Sequence, residues 1–242
     1  MNGLAFLTPA ADEESVVART PMERLARAAG ARLERRAGWN VAVAYGAGPA
    51  AERVRLTETV GFADRSPLIK LELHAAPETL AEIAREAGDG LELELGRAGR
   101  TPGAWWCPVT PSRLLVLAEP GLGVGERLGS AVRDERSTVT IVDITCGLAA
   151  MALVGPGSGE LLARFSAIDV RSSVTPVAGF RPGSIARTPG YLLREAEDQL
   201  LLLVGWAFGE YLWQVVADAA EQLGGGPVGS DALAALMESA HA

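Results

Sequence analysis

Arg100-Thr101-Pro102-Gly103 recurs as Arg187-Thr188-Pro189-Gly190, and the same elements surround both copies. An apolar run follows each tetrapeptide, residues 113–117 after the first and 200–204 after the second. A Gly-Glu-x-Leu helix start comes next, Gly125-Glu126-Arg127-Leu128 and Gly209-Glu210-Tyr211-Leu212. An Asp-x-Ser/Thr signature precedes each set, Asp64-Arg65-Ser66 and Asp143-Ile144-Thr145. The spacing between copies differs from element to element, so loops have changed length. The shared order implies a tandem duplication.

A chain of 242 residues suits one large domain or two ordinary ones, and 48% hydrophobic with 21% charged residues is a soluble globular composition. The net charge of −8 argues against a nucleic-acid partner, which needs clustered cations. One cluster exists, Arg19, Arg24, Arg27, Arg32, Arg35 and Arg36, but Glu23 and Glu34 are mixed into it, as on a solvated helix face. Cys107 and Cys146 have no metal spacing and read as buried free thiols of a reducing compartment. No basic region leads into an apolar stretch at the N-terminus, so no signal peptide is expected. The apolar stretch 200–216 is interrupted by Glu210 and Gln214 and is too short to span a bilayer. The expected location is cytoplasmic.

The chain divides into a tail (1–19), a first lobe (20–137), a second lobe (138–225) and a linker with a short C-terminal helix (226–242). Thr20-Pro21-Met22-Glu23 reads as a capped helix start, and Leu25, Ala28, Ala29 and Leu33 carry that helix to Gly38. Residues 39–45 are extended and 50–60 helical. Ile69, Leu71 and Leu73 alternate with Lys70, Glu72 and His74, a half-buried strand; residues 91–95 alternate likewise. A helix is expected over 77–87, strands over 138–142 and 149–154, and a helix over 158–165. In a long helix from 208 to 223, Phe208, Tyr211, Leu212, Val215, Val216 and Ala219 form the buried stripe. Alternating strands imply mostly antiparallel sheets with one solvated face and packed helices on the other. The expected fold class is α+β, two related lobes.

Thr20-Pro21, Gly30-Ala31-Arg32, Gly38-Trp39 and Tyr45, followed by residues 60–66 and Lys70-Leu71-Glu72-Leu73, resemble the N-terminal part of the glycine-cleavage aminomethyltransferase (T-protein) superfamily. Val142-Asp143-Ile144-Thr145 with residues 152–156 resembles its second lobe, and Ile185-Ala186-Arg187-Thr188 its Arg-Thr-Gly-Tyr-Thr-Gly-Glu motif. Asp143, Gly155-Pro156, Ile168-Asp169-Val170, residues 207–213 and Asp218-Ala219-Ala220 are similar to the gamma subunit of heterotetrameric sarcosine oxidase. The resemblance implies a T-protein-like folate-binding fold with tetrahydrofolate in a central channel and a function in one-carbon or methylated-amine metabolism. It leaves two roles open: a tetrahydrofolate-dependent aminomethyl transferase, or a noncatalytic gamma-like subunit packed on flavin-containing oxidase subunits or forming a homo-oligomer.

The chain departs from the transferase pattern at several places. Ala87-Gly88-Asp89-Gly90 offers an aspartate but not its Asn neighbour, a Gly-Gly hairpin is missing, and the third, barrel domain is absent. Asp89 is the candidate catalytic carboxylate, with a surface turn as the alternative. Arg187, Tyr191 and Glu195 are candidate cofactor contacts. Arg100 in the matching tetrapeptide suggests a structural role for Arg187, and Glu197 and Asp198 suggest a solvated strand entrance for Glu195. Thr188-Pro189-Gly190 has type II turn chemistry. Tyr45, Trp105, Trp39 and Trp106 are either the walls of an aromatic channel or core anchors. His74 stands on the polar phase of its strand and receives no role.

Overall fold

The computed structural model describes residues 17–46, 48–132 and 138–239; residues 1–16 of the expected tail lie outside that set. The chain opens with α1 (Glu23–Ala28), a hairpin of β1 (Ala31–Arg36) and β2 (Trp39–Tyr45), and α2 (Gly48–Thr57). After β3 (Gly61–Asp64) comes the first unit: β4 (Ile69–His74), α3 (Pro77–Ala87), β5 (Gly99–Thr101), β6 (Ala104–Thr110), β7 (Arg113–Ala118) and α4 (Val124–Ala131). After β8 (Thr140–Asp143) comes the second: β9 (Leu148–Val154), α5 (Ser158–Ala163), β10 (Phe180–Ile185), β11 (Thr188–Ala196), β12 (Gln199–Gly205) and α6 (Gly209–Glu221). A short strand β13 (Gly226–Pro227) and α7 (Ser230–Ser239) close the chain.

The duplication is plain in the sheets. One has the order β5-β6-β7-β4-β8, the other β10-β11-β12-β9-β3-β13. The first five strands of each order correspond one to one with the lead-in strands exchanged, β3 pairing with β9 and β8 with β4, while among the described residues β13 has no counterpart. Each of the expected lobes therefore lends a strand to the other's sheet. Among the described residues, all pairings between strands are antiparallel apart from β13 on β3, and one isolated parallel bridge joins Ala18 to Trp39.

The layers are helix, sheet, sheet, helix. Leu80, Ile83 and Leu128 of α3 and α4 pack on Leu71, Leu73, Trp106, Leu114 and Val116. Leu161, Leu162, Leu212, Trp213 and Val216 of α5 and α6 pack on Leu153, Leu192, Leu202 and Val204. Between the sheets, Cys107, Leu115 and Leu117 meet Leu193, Leu201 and Leu203. The sheet faces expected to be solvated are covered by each other, which corrects the one-sided picture.

Several local expectations are also corrected. The first helix stops at Ala28 because Gly30 is left-handed (φ 83), the usual helix-ending glycine, and Ala31–Arg36 is a strand. Ala37 and Gly38 (φ 47 and 81) form the two-residue turn that returns it as β2. Arg32, Arg35 and Arg36 thus lie on a strand, not a helix face. Thr20 does not cap α1, which begins after Met22 with no side-chain cap; its hydroxyl bonds Asp64. Residues 91–95 form no strand, since the sheet edge is filled by β5; Leu91 packs beside Gly99 and Leu95 is exposed. The buried stripe of α6 is Leu212, Trp213, Val216, Ala219 and Ala220, whereas Phe208 and Tyr211 are exposed. Cys146 is exposed rather than buried. The residues expected as a linker pair into the sheet as β13. Glu52 then secures the approach to α7, accepting the N–H groups of Tyr45 (2.5 Å) and Gly229 (2.7 Å).

The repeated tetrapeptide is out of step with the duplication it points to. The first hairpin turns at Pro102-Gly103, between Thr101 and Ala104. The second turns at Ala186-Arg187, between Ile185 and Thr188, so Arg187 stands in the place of Gly103. Pro189-Gly190 lies within β11 and forms no type II turn.

Candidate functional site

The chain passes from one sheet to the other twice, at Asp64-Arg65-Ser66 and at Asp143-Ile144-Thr145. Both crossings make the same bonds. Each aspartate accepts the N–H two residues on, Ser66 at 2.9 Å and Thr145 at 2.8 Å, a turn these short side chains favour. The Ser66 hydroxyl accepts the Ala150 N–H (3.1 Å), and the Thr145 hydroxyl accepts the Lys70 N–H (3.1 Å). Arg65 N–H donates to the Ala150 carbonyl (2.9 Å) and Ile144 N–H to the Lys70 carbonyl (2.8 Å). Ala150 and Lys70 are therefore counterparts, as are Ile144 and Arg65. The symmetry breaks at these two positions, where one copy is apolar and the other is charged.

Lys70 is fully buried at the crossing. Its ammonium donates to the carbonyls of Ser66 (2.7 Å), Leu68 (2.8 Å) and Thr145 (3.2 Å). Burial pulls its pKa down to about 8 against the attraction of Asp64. Arg65 donates to both oxygens of Glu195 (2.9 and 2.7 Å) and to Glu119 (2.6 Å). Burial disfavours its charge, and the carboxylates of Glu195 and Glu119 outweigh that and raise its pKa. Asp64 keeps some exposed surface yet is enclosed by protein on most sides. Dehydration raises its pKa, opposed by hydrogen bonds from Thr20 and Ser66.

Asp64 and Arg65 open onto a cleft of about 520 Å³, whose walls include Arg36, Val41, Leu68, Glu119 and Ser230. The volume is that of a small-molecule site. Among the described residues no group of three or more His, Cys, Asp and Glu is placed to hold a metal ion. The cleft offers two carboxylates, Asp64 and Glu119, and two arginines, Arg36 and Arg65, the latter already held by two acids; among the described residues no aromatic side chain lines it.

The candidate residues read from the sequence do not converge on it. Asp89 sits exposed in a left-handed turn (φ 54) after α3, beside a shallow depression bounded by Glu86 and Glu126 on the outer helical layer. Arg187 is exposed in the β10–β11 turn (φ 63). Tyr191 stacks on Phe180 (5.3 Å, 16°) and bonds Arg113. Tyr45 is in the core beside Trp213 (6.4 Å), its hydroxyl pKa raised by burial and then by Asp64 and Glu52. Trp105 lies under the Arg100 guanidinium (5.1 Å), and Trp106 is a core ring bonded to Thr101. Trp39 lies tilted against Trp206 (6.1 Å, 53°). Only Glu195 reaches the cleft, through Arg65. It is buried rather than at a solvated strand entrance, and both its oxygens are engaged. Each Glu195 oxygen accepts one bond, both from the same Arg65 nitrogen, so further acceptor sites remain on the carboxylate.

Lys70 and Arg65 escaped the sequence reading. A signal for Lys70 was present: it is the chain's single lysine, every other basic side chain apart from histidine being arginine.

The sequence model of the sarcosine oxidase gamma subunit family matches residues 75–222. The chain belongs to that family. No curated protein matches it. A chain of the heterotetrameric sarcosine oxidase from Corynebacterium sp. U-96, solved with pyrrole 2-carboxylate, shares the fold with a TM-score of 0.66 and 22% identity, over 85% of this chain and 96% of that one. The glycine cleavage system aminomethyltransferase T from Bartonella henselae gives 0.73 and 15%, over 89% of this chain and 60% of that one. The gamma subunit family thus has here the α+β architecture of that transferase, and this chain spans only part of the transferase's length.

Proposed function

We propose that this chain is a subunit of a heteromeric N-methyl amine oxidase of the sarcosine oxidase kind, acting in its assembly without turning over tetrahydrofolate. Family membership supports the oxidase context. The observation that carries the noncatalytic reading is Asp89, which lies on the outer layer and supplies no carboxylate to the cleft. Both Glu195 oxygens accept from Arg65, which ties that carboxylate into the crossing. A cytoplasmic location goes with this reading, and among the described residues no helix is long and apolar enough to cross a membrane.

The test has two arms. Tagged chain purified from its own host is expected to bring down an oxidase with visible flavin absorbance. Titration with tetrahydrofolate or folinic acid, followed by tryptophan fluorescence, is expected to show no saturable change up to millimolar ligand. Saturable binding with one-carbon transfer to tetrahydrofolate overturns the reading.

A further inference from the structure

Internal symmetry marks one sheet edge as incomplete. In the six-stranded sheet the outer edge of β3 is closed by β13, which runs parallel to it, with Gly226 N–H donating to the Val60 carbonyl (3.2 Å) and Val228 N–H to the Phe62 carbonyl (2.9 Å). β3 is accordingly buried along most of its length. Its counterpart β8 occupies the same place in the other sheet, yet all four of its residues are exposed, Ile141 and Val142 among them. Among the described residues no strand pairs with its outer side. The asymmetry follows from the connections. The stretch after α6 becomes β13, whereas the stretch after α4 leads into β8 itself.

The backbone groups facing outward can be named. Ile144 N–H bonds the Lys70 carbonyl, so bonding to β4 alternates through Val142 and Thr140. The N–H and C=O groups of Ile141 and Asp143 point away from the sheet. By the equivalence of Asp64 and Asp143, Val139 and Ile141 are the counterparts of Val60 and Phe62, the two carbonyls that β13 uses. An open edge flanked by β-branched apolar side chains is a template for strand addition.

Building on the subunit reading above, we propose that an extended, aliphatic segment of an oxidase partner subunit adds to β8 as a parallel strand, donating N–H groups to the Val139 and Ile141 carbonyls. This completes the five-stranded sheet in the way β13 completes its twin.

The experiment is amide hydrogen exchange on the flavin-containing complex purified through this chain, compared with the chain alone. In the complex the Ile141 amide is expected to slow at least about tenfold. Ile141→Pro removes an outward N–H without removing a bond to β4, and Ile141→Lys places a charge on the edge. Both are expected to lower recovery of flavin-containing complex at least about tenfold while leaving circular dichroism and Tm of the isolated chain unchanged. If either variant fails to fold, the exchange measurement on wild type still decides. A complex that forms with Ile141 unprotected, or a β8 edge protected by a second copy of this chain, overturns the edge assignment alone. A wild-type chain that assembles with no oxidase overturns the subunit reading and this proposal with it.

Discussion

Lys70 shows how position in the fold decides the chemistry of a side chain. In the sequence it belongs to the polar phase of an alternating strand. The second sheet then covers that phase, and three carbonyls replace water around the ammonium. A free lysine titrates near 10.5 and this one near 8. Below about pH 8 both folded and unfolded chains hold the proton, and the burial penalty is constant. Between 8 and 10.5 the folded chain sheds it first, so this group makes stability rise with pH, by about 3 kcal/mol at about 1.4 kcal/mol per pH unit. Cys107, whose thiol burial pushes up, acts in the opposite sense as the unfolded thiol ionises. The Lys70 contribution is therefore read as a difference. In urea unfolding, the stability of wild type relative to Lys70→Met is expected to be higher at pH 9.5 than at pH 7.5. A difference that does not move with pH counts against the depressed pKa.

At the scale of elements, α6 separates what pattern can and cannot say. Its extent was legible from the apolar spacing, and its facing was not. Phe208 and Tyr211 are as apolar as Leu212 and Trp213, and a stripe that wide leaves the boundary of the buried arc undetermined. The helix rotates so that Leu212, Trp213, Val216 and Ala220 meet the sheet. Leu212→Ala is expected to cost about 2–5 kcal/mol, whereas Phe208→Ala and Tyr211→Ala stay within about 0.5 kcal/mol, by chemical denaturation. Similar losses at all three positions would restore the facing read from the sequence. The hairpin of β1 and β2 teaches the same lesson from the other side. Helical spacing through Leu33 was real, but Gly30 and the Ala37-Gly38 turn outweigh it, because left-handed backbone ends a helix and reverses a strand at little cost.

For the whole molecule, the order of repeated elements disclosed two related lobes, and the sheets agree. The exchange of β3 and β8 was not legible, since an alternating strand carries no label for the sheet it joins. The candidate site suffered similarly: Arg187, Tyr191 and Glu195 lie in one stretch of sequence, yet a strand spreads them along its length. Arg65 was overlooked, and it joins the end of β11 in one sheet to Glu119 beyond β7 in the other. Arg65→Met leaves Glu195 buried without its cation and is expected to cost about 3–5 kcal/mol. Glu119→Gln, on the exposed arm, is expected to cost under about 1 kcal/mol. Arg65→Met with Glu195→Met is expected to recover much of the loss; a double variant no more stable than Arg65→Met alone would show that the pair does more than balance charge.

The burial of the one lysine has a practical side. In the described fold, Lys70 offers no primary amine to acylating dyes, lysine-directed cross-linkers or a lysine-specific protease. Acylation of a folded chain whose α-amine is already blocked should leave the intact mass unchanged. Any mass gain at Lys70 would then count the molecules in which the two sheets had come apart at their crossing, making a single side chain a chemical clock for that opening.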